Sequence, residues 1–227
     1  MDSEEPRDPD FYRASRARVP SEIIKTLKKN PRELEHAERV LRNFIRIRLR
    51  SGEFRDSNDF AYQNEEGIIA AVAHDANKAK EGYVESDDPE YRREEVRRNA
   101  EAMADTVRGA NSYAVGNEVG FLIRYHHELG EHSDEVLCDL QRADLIDFFA
   151  EKLLDVLERE GYEEARGVLK RTYGSGSETS KEFARATLAE YEDMVYNGNA
   201  ELRELIQKVV FGRPEAQESR AYSPASE

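Results

Sequence analysis

Residues 68–78 read Ile68-Ile69-Ala70-Ala71-Val72-Ala73-His74-Asp75-Ala76-Asn77-Lys78. The periodicity predicts a helix over about 64–80, and from 68 to 73 that helix is apolar almost all round. Such a helix has no face to offer water and belongs at the centre of a fold. This one runs straight into a histidine and an aspartate. Gly82 lies just past its end, where a helix stop is expected.

Working outward, the period stays helical almost throughout. Asn30-Pro31-Arg32-Glu33 marks a helix start: Asn30 caps, Pro31 suits the first turn, and Glu33 meets the positive end of the dipole. The apolar face that follows is Leu34, Ala37, Val40, Leu41 and Phe44. Asp88-Pro89-Glu90 opens a helix to about 108, another covers about 117–128, and Ser133-Asp134-Glu135 caps a long one that Gly161 ends. Shorter helices are expected at 162–173, 180–196 and 200–210. No convincing alternating strand appears, so the expected class is all-α, a helical bundle with additional C-terminal helices. The expected organisation is a flexible N-terminal arm (1–19), a helical domain (20–160), C-terminal helices packing on the same domain (161–212) and a disordered tail (213–227).

The net charge is −14 in 227 residues. That field repels phosphate backbones and anionic lipid heads, which argues against general nucleic-acid or membrane binding. It leaves room for a small anionic substrate beside a metal and a few basic groups. With Cys138 as the sole cysteine, an internal disulfide and a cysteine-rich metal site are excluded. No secretory signal is visible in residues 1–6, and the longest apolar run is too short to span a bilayer, so the expected location is the cytoplasm.

His36 stands one turn before Val40 on the apolar side of its helix. His74 and Asp75 follow the central apolar run, and Asp144 is one turn after Leu140 and one before Phe148. A buried carboxylate without a partner costs several kcal/mol or takes up a proton. Arg or Lys could satisfy Asp75 and Asp144, and for Asp144 the candidates are Arg142 and Arg124. Two imidazoles alongside suggest instead a divalent cation, for which mixed histidine and carboxylate ligands are suitable. Asp139 and Asp147 are rival carboxylates on the same helix.

Four segments in order carry a resemblance: Glu35-His36-Ala37-Glu38-Arg39-Val40, then Ala73-His74-Asp75-Ala76-Asn77-Lys78, then Tyr125-His126-His127-Glu128, then Gln141-Arg142-Ala143-Asp144-Leu145. Over residues 30–150 the chain resembles the HD superfamily of metal-dependent phosphohydrolases. The resemblance implies an HD-domain-like bundle over 20–160 and a metal held by His36, His74, Asp75 and Asp144. It implies catalytic roles for Asp75, Lys78, His126 and His127, and phosphate binding by Arg39 and Lys78. His126 or His127 would donate a proton to the leaving group, or hydrogen-bond a ligand from outside. The family commonly has Gly where this chain has Asn77, and its two-metal members carry a further histidine before the His-His-Glu segment. None occurs here from 76 to 125, so one ion is expected: Mn, Co, Fe, Mg, Ni or Zn.

The expected activity is hydrolysis of a small phosphoester, with nucleotides favoured by the resemblance, through water activated by the metal. The alternatives are a nucleotide-sensing or scaffold protein of HD type without turnover, and a structural helical domain whose polar groups are merely hydrogen-bonded. A homodimer surface is one possible use of 161–212.

Overall fold

A computed structural model describes residues 8–81, 83, 86 and 88–212. The fold is all-helical, with no strand among the described residues. In chain order the α-helices are α1 (Asp8–Arg16), α2 (Ser21–Leu27), α3 (Pro31–Ser51), α4 (Ser57–Gln63), α5 (Glu65–Ala73), α6 (Pro89–Ala110), α7 (Tyr113–Tyr125), α8 (Glu135–Asp147), α9 (Leu153–Glu160), α10 (Tyr162–Gly174), α11 (Glu178–Glu190), α12 (Glu192–Tyr196) and α13 (Ala200–Val209). A 3-10 turn, Ala76–Ala79, follows α5, and a wide π turn, Phe148–Lys152, joins α8 to α9.

The starts obey local chemistry. The Asn30 side chain accepts from the Arg32 amide at 3.2 Å with Pro31 behind it. Asp88, Ser112 and Asp134 cap α6, α7 and α8 in the same manner. Gly161 ends α9 at φ +87°, a backbone region that side chains with a Cβ avoid.

At the centre, α5 is buried from Gly67 to Ala73 and packs against α3, α7 and α8. A methyl group on Gly67 would collide with the Phe44 ring of α3 and with Val136 of α8. That close approach brings the end of α5 between the two helices that carry the other candidate ligands. α6 turns at Asn111 and Ser112 into α7, and the two pack along their length. In the C-terminal part α10 lies on α9, α11 on α8, and α13 on α9 and α10. No helix of the described residues is long and apolar enough to cross a membrane.

The structure differs from the sequence reading in several places. Residues 8–19 are not a flexible arm: α1 packs on α4 and α3, with Phe11 edge-on to Phe60 at 5.5 Å and Ser15 fully buried. Phe11 and Ser15 face inward one turn apart on α1, with Val19 buried just beyond its end, but the small Ser15 and the surrounding arginines hide this in an apolarity count. Residues 1–7, 213–227 and Gly82 lie outside the described residues. The helix expected over 64–80 stops at Ala73, and His74 caps it. The helix expected over 180–196 breaks at Tyr191, whose φ of −112° interrupts the α geometry.

Candidate metal centre

Each polar side chain of the cluster comes from a helix end or an apolar helix face. His36 points from α3, Asp144 from α8, and His126 from the position just after α7. His74 and Asp75 occupy the turn after α5, where the chain leaves α geometry and re-aims the two side chains. That turn is tied down by Asn99 of α6, whose Nδ2 donates to the carbonyls of Ala73 at 3.1 Å and His74 at 2.6 Å.

The three imidazoles share one arrangement. His74 donates Nδ1–H to the Ala71 carbonyl at 3.0 Å, and His126 donates Nδ1–H to the Ile123 carbonyl at 2.6 Å. His36 donates Nδ1–H to Asp147 Oδ2 at 2.8 Å. A carbonyl or an ionised carboxylate can only accept, so Nδ1 carries the proton in all three rings, and Nε2 of each neutral ring is a lone pair. These lone pairs are directed inward. His36 Nε2 and His74 Nε2 are 3.1 Å apart, and His126 Nε2 is buried without a hydrogen-bond partner. Two lone pairs facing each other at that distance are unfavourable unless a cation, either a proton or a metal, lies between them.

The carboxylates complete the cluster. Asp144 Oδ1 lies 3.5 Å from His36 Nε2 and 3.6 Å from His74 Nε2; Asp75 Oδ2 lies 3.5 and 3.8 Å from the same two atoms. For metal–ligand bonds of about 2.1 Å, neighbouring ligand atoms stand about 3.0–3.4 Å apart. The spacings here are at or slightly above that range, so the residues fit a divalent ion. His126 groups with His74 and Asp144, and His126 and His127 group with Asp75.

Electrostatics keep the carboxylates charged. Burial works against ionised Asp75, but the neighbouring His74, His36 and Lys78 outweigh it and hold its pKa well below the usual range. Asp144 is likewise held low against burial, chiefly by His74 and His36. Lys78, one turn beyond Asp75, puts Nζ 2.5 Å from Asp75 Oδ2 and stays cationic because Asp75 and Asp144 more than offset its burial. For His36 burial opposes protonation, yet Asp147, Asp75 and Asp144 raise its pKa to about 9. His126 is pushed well down, by burial first and then by His127 and His74. A neutral, lone-pair-bearing His126 is suited to ligation rather than to the proton-donor role read from the sequence. His127, stacked on it at 3.6 Å between ring centroids, is the exposed member of the pair.

Sequence reasoning named Asp147 only as a rival to Asp144 and gave it no role of its own. Fully buried, it accepts from His36 Nδ1 and from Arg39 Nε at 2.5 Å, which sets the tautomer of His36. Arg39, read as a phosphate ligand, is committed to Asp147 and reaches the cluster through it. The available signal was a pair of pairs: Arg39 one turn after His36, and Asp147 one turn after Asp144. Arg142, a candidate partner for Asp144, bonds Asp139 instead.

Compared with known protein families, with curated proteins and with solved structures, the chain matches none of them.

Proposed function

We propose that the chain is a metal-dependent phosphohydrolase of the HD type, acting on a small phosphoester, with nucleotides as the first class to test. The observation that carries the reading is the convergence of three imidazole lone pairs, each with its Nδ1 pinned, between two carboxylates held ionised. In metal-free protein the proton on His36 and the ammonium of Lys78 balance these carboxylates; a divalent ion would replace that proton and engage the Nε2 atoms and both carboxylates together.

In this reading His36, His74, Asp75 and Asp144 hold the ion, and His126 stands ready as a further ligand. The ion supplies an acidified water and polarises a phosphoryl oxygen. Asp75, too weak a base at its depressed pKa to take a proton, orients the water by accepting its hydrogen bond. Lys78 offers its ammonium group to the phosphate at the partly open edge it shares with Asp144. His127, the exposed ring stacked on His126, is the group placed to accept the proton released on attack and return it to the leaving oxygen.

A second reading, a nucleotide-binding protein without turnover, draws on Asn77. This residue is buried beside Lys78 at the position where the resembled family has Gly. Metal analysis of protein purified without chelator, followed by phosphate release from a panel of nucleotides and other phosphomonoesters with Mn²⁺, Co²⁺ or Mg²⁺, separates the readings. Release lost in Asp144→Ala supports the hydrolase. Metal without release, but with thermal stabilisation by nucleotide, supports the binding protein. Protein that takes up no offered metal overturns both.

A further inference from the structure

A concavity of about 530 Å³ opens between α10, α11 and α13 and shares no lining residue with the imidazole cluster. Five cations converge on it: Arg166 and Lys170 from α10, Lys181 and Arg185 from α11, and Lys208 from α13, against the single carboxylate Glu178. The chain carries a net charge of −14 and nine lysines, three of which stand on this wall. Positive charge is therefore gathered here against the trend of the composition.

The five cations are not equivalent. Arg166, Lys181 and Lys208 each have a carboxylate on their own helix, at 3.1, 2.9 and 2.9 Å. Lys170 and Arg185 have none within ion-pair distance among the described residues. Arg185 is nevertheless fixed. Its Nε donates to the Val210 carbonyl at 3.2 Å, and its guanidinium lies over the Tyr173 ring at 5.7 Å. The Tyr173 hydroxyl donates to the same carbonyl at 3.5 Å. An arginine fixed by a carbonyl and by Tyr173 presents its guanidinium as a planar, preset fork that matches phosphate oxygens.

We propose that this concavity binds a small phosphate-bearing anion of at least two charges. Its volume suits a small molecule rather than a polymer, and the acidic remainder of the surface repels a nucleic-acid backbone. Terminal phosphates on a nucleotide and free inorganic pyrophosphate offer the same chemistry to Arg185 and Lys170.

Calorimetric titration of the metal-free full chain with inorganic pyrophosphate, at constant ionic strength, tests the site. The proteins compared are wild type, Lys170→Ala, the double variant Lys170→Ala/Arg185→Gln, and Asp144→Asn. Saturable one-to-one binding is expected in wild type and, unchanged, in Asp144→Asn. Affinity should fall several-fold in Lys170→Ala, a surface change that leaves folding intact, and by about tenfold or more in the double variant. Equal affinity in wild type and both Lys170 variants, loss in Asp144→Asn, or no binding at millimolar pyrophosphate would overturn the proposal. Repeating the titration with adenosine diphosphate distinguishes the sources: tighter binding than pyrophosphate points to a nucleotide, and equal or weaker binding to the bare phosphate group. Both results retain the site.

Discussion

Asp139 and Asp144 stand on the same helix, little more than one turn apart, and the protein satisfies them in opposite ways. Asp139, almost fully buried, takes Nη1 of Arg48 at 3.0 Å on one oxygen and Nη1 of Arg142 at 2.8 Å on the other. Arg48 is fixed in turn by Asn64 and Glu135. That cluster is closed: guanidinium groups bring both the charge and the donors a carboxylate lacks. Asp144 faces the Nε2 atoms of His36 and His74, whose Nδ1 atoms are already engaged elsewhere. Its cluster stays open to a cation. A buried acid is thus no sign of a metal site in itself; what its neighbours can still donate decides the matter.

Four experiments would break or sharpen this contrast. The largest effect concerns metal content: Asp144→Ala should lower it to background while Asp139→Ala leaves it at the wild-type level, as read by mass spectrometry on folded protein. Next is stability. Removing Asp139 takes the buried carboxylate from Arg48 and leaves it Asn64 and the exposed Glu135, and the cost should be about 1–3 kcal/mol in urea denaturation. In metal-free protein Asp144→Ala should also cost stability, since it removes the carboxylate that His74 and His36 hold ionised, but it leaves Asp75 and Asp147 to satisfy His36. If the two variants lose equal stability and equal metal, the contrast is wrong.

The third experiment varies pH. The folded-state pKa of His36 is raised to about 9. Its contribution to the stability of metal-free protein is therefore fully present below its unfolded pKa, about 6.5, and is lost as pH rises through about 9, at roughly 1.4 kcal/mol for each pH unit between the two. Proton and metal compete for the same Nε2, so metal affinity should rise across that window. Denaturation of chelated, desalted protein at several pH values checks the first trend, and His36→Gln should flatten it. The smallest effect is expected from Asp147→Asn, which keeps the shape but loses the charge behind His36: metal affinity should weaken by about 10–100-fold without being abolished. A competition titration against a chromophoric chelator would read it.

Much of this was legible in the sequence because it is local. Asn30-Pro31, Asp134 and Gly161 mark helix ends through bonds made within a few residues. The apolar run before His74 announces a central helix from composition alone. What could not be read is which faces meet. Spacing places Asp139, Asp144 and Asp147 on their helix, but it does not show that Arg48 and Arg142 reach the first, or that His36 presents opposite ring nitrogens to the other two. α1 escaped notice for a related reason: its buried stripe is completed by a serine, which only tertiary packing identifies as interior.

The wide turn Phe148–Lys152 has a consequence for chain length. Its closing bond runs from the Leu153 amide to the Phe148 carbonyl, five residues back instead of four. Upstream, Asp144 and Asp147 face the imidazoles; downstream, Leu153 and Leu157 are buried beside α10. An additional residue in one turn is a phase slip of about 100°. Both faces are in step only with that slip in place. Inserting or deleting a single residue in 145–156 would therefore be a rotation, turning either the acids or the leucines away from their partners.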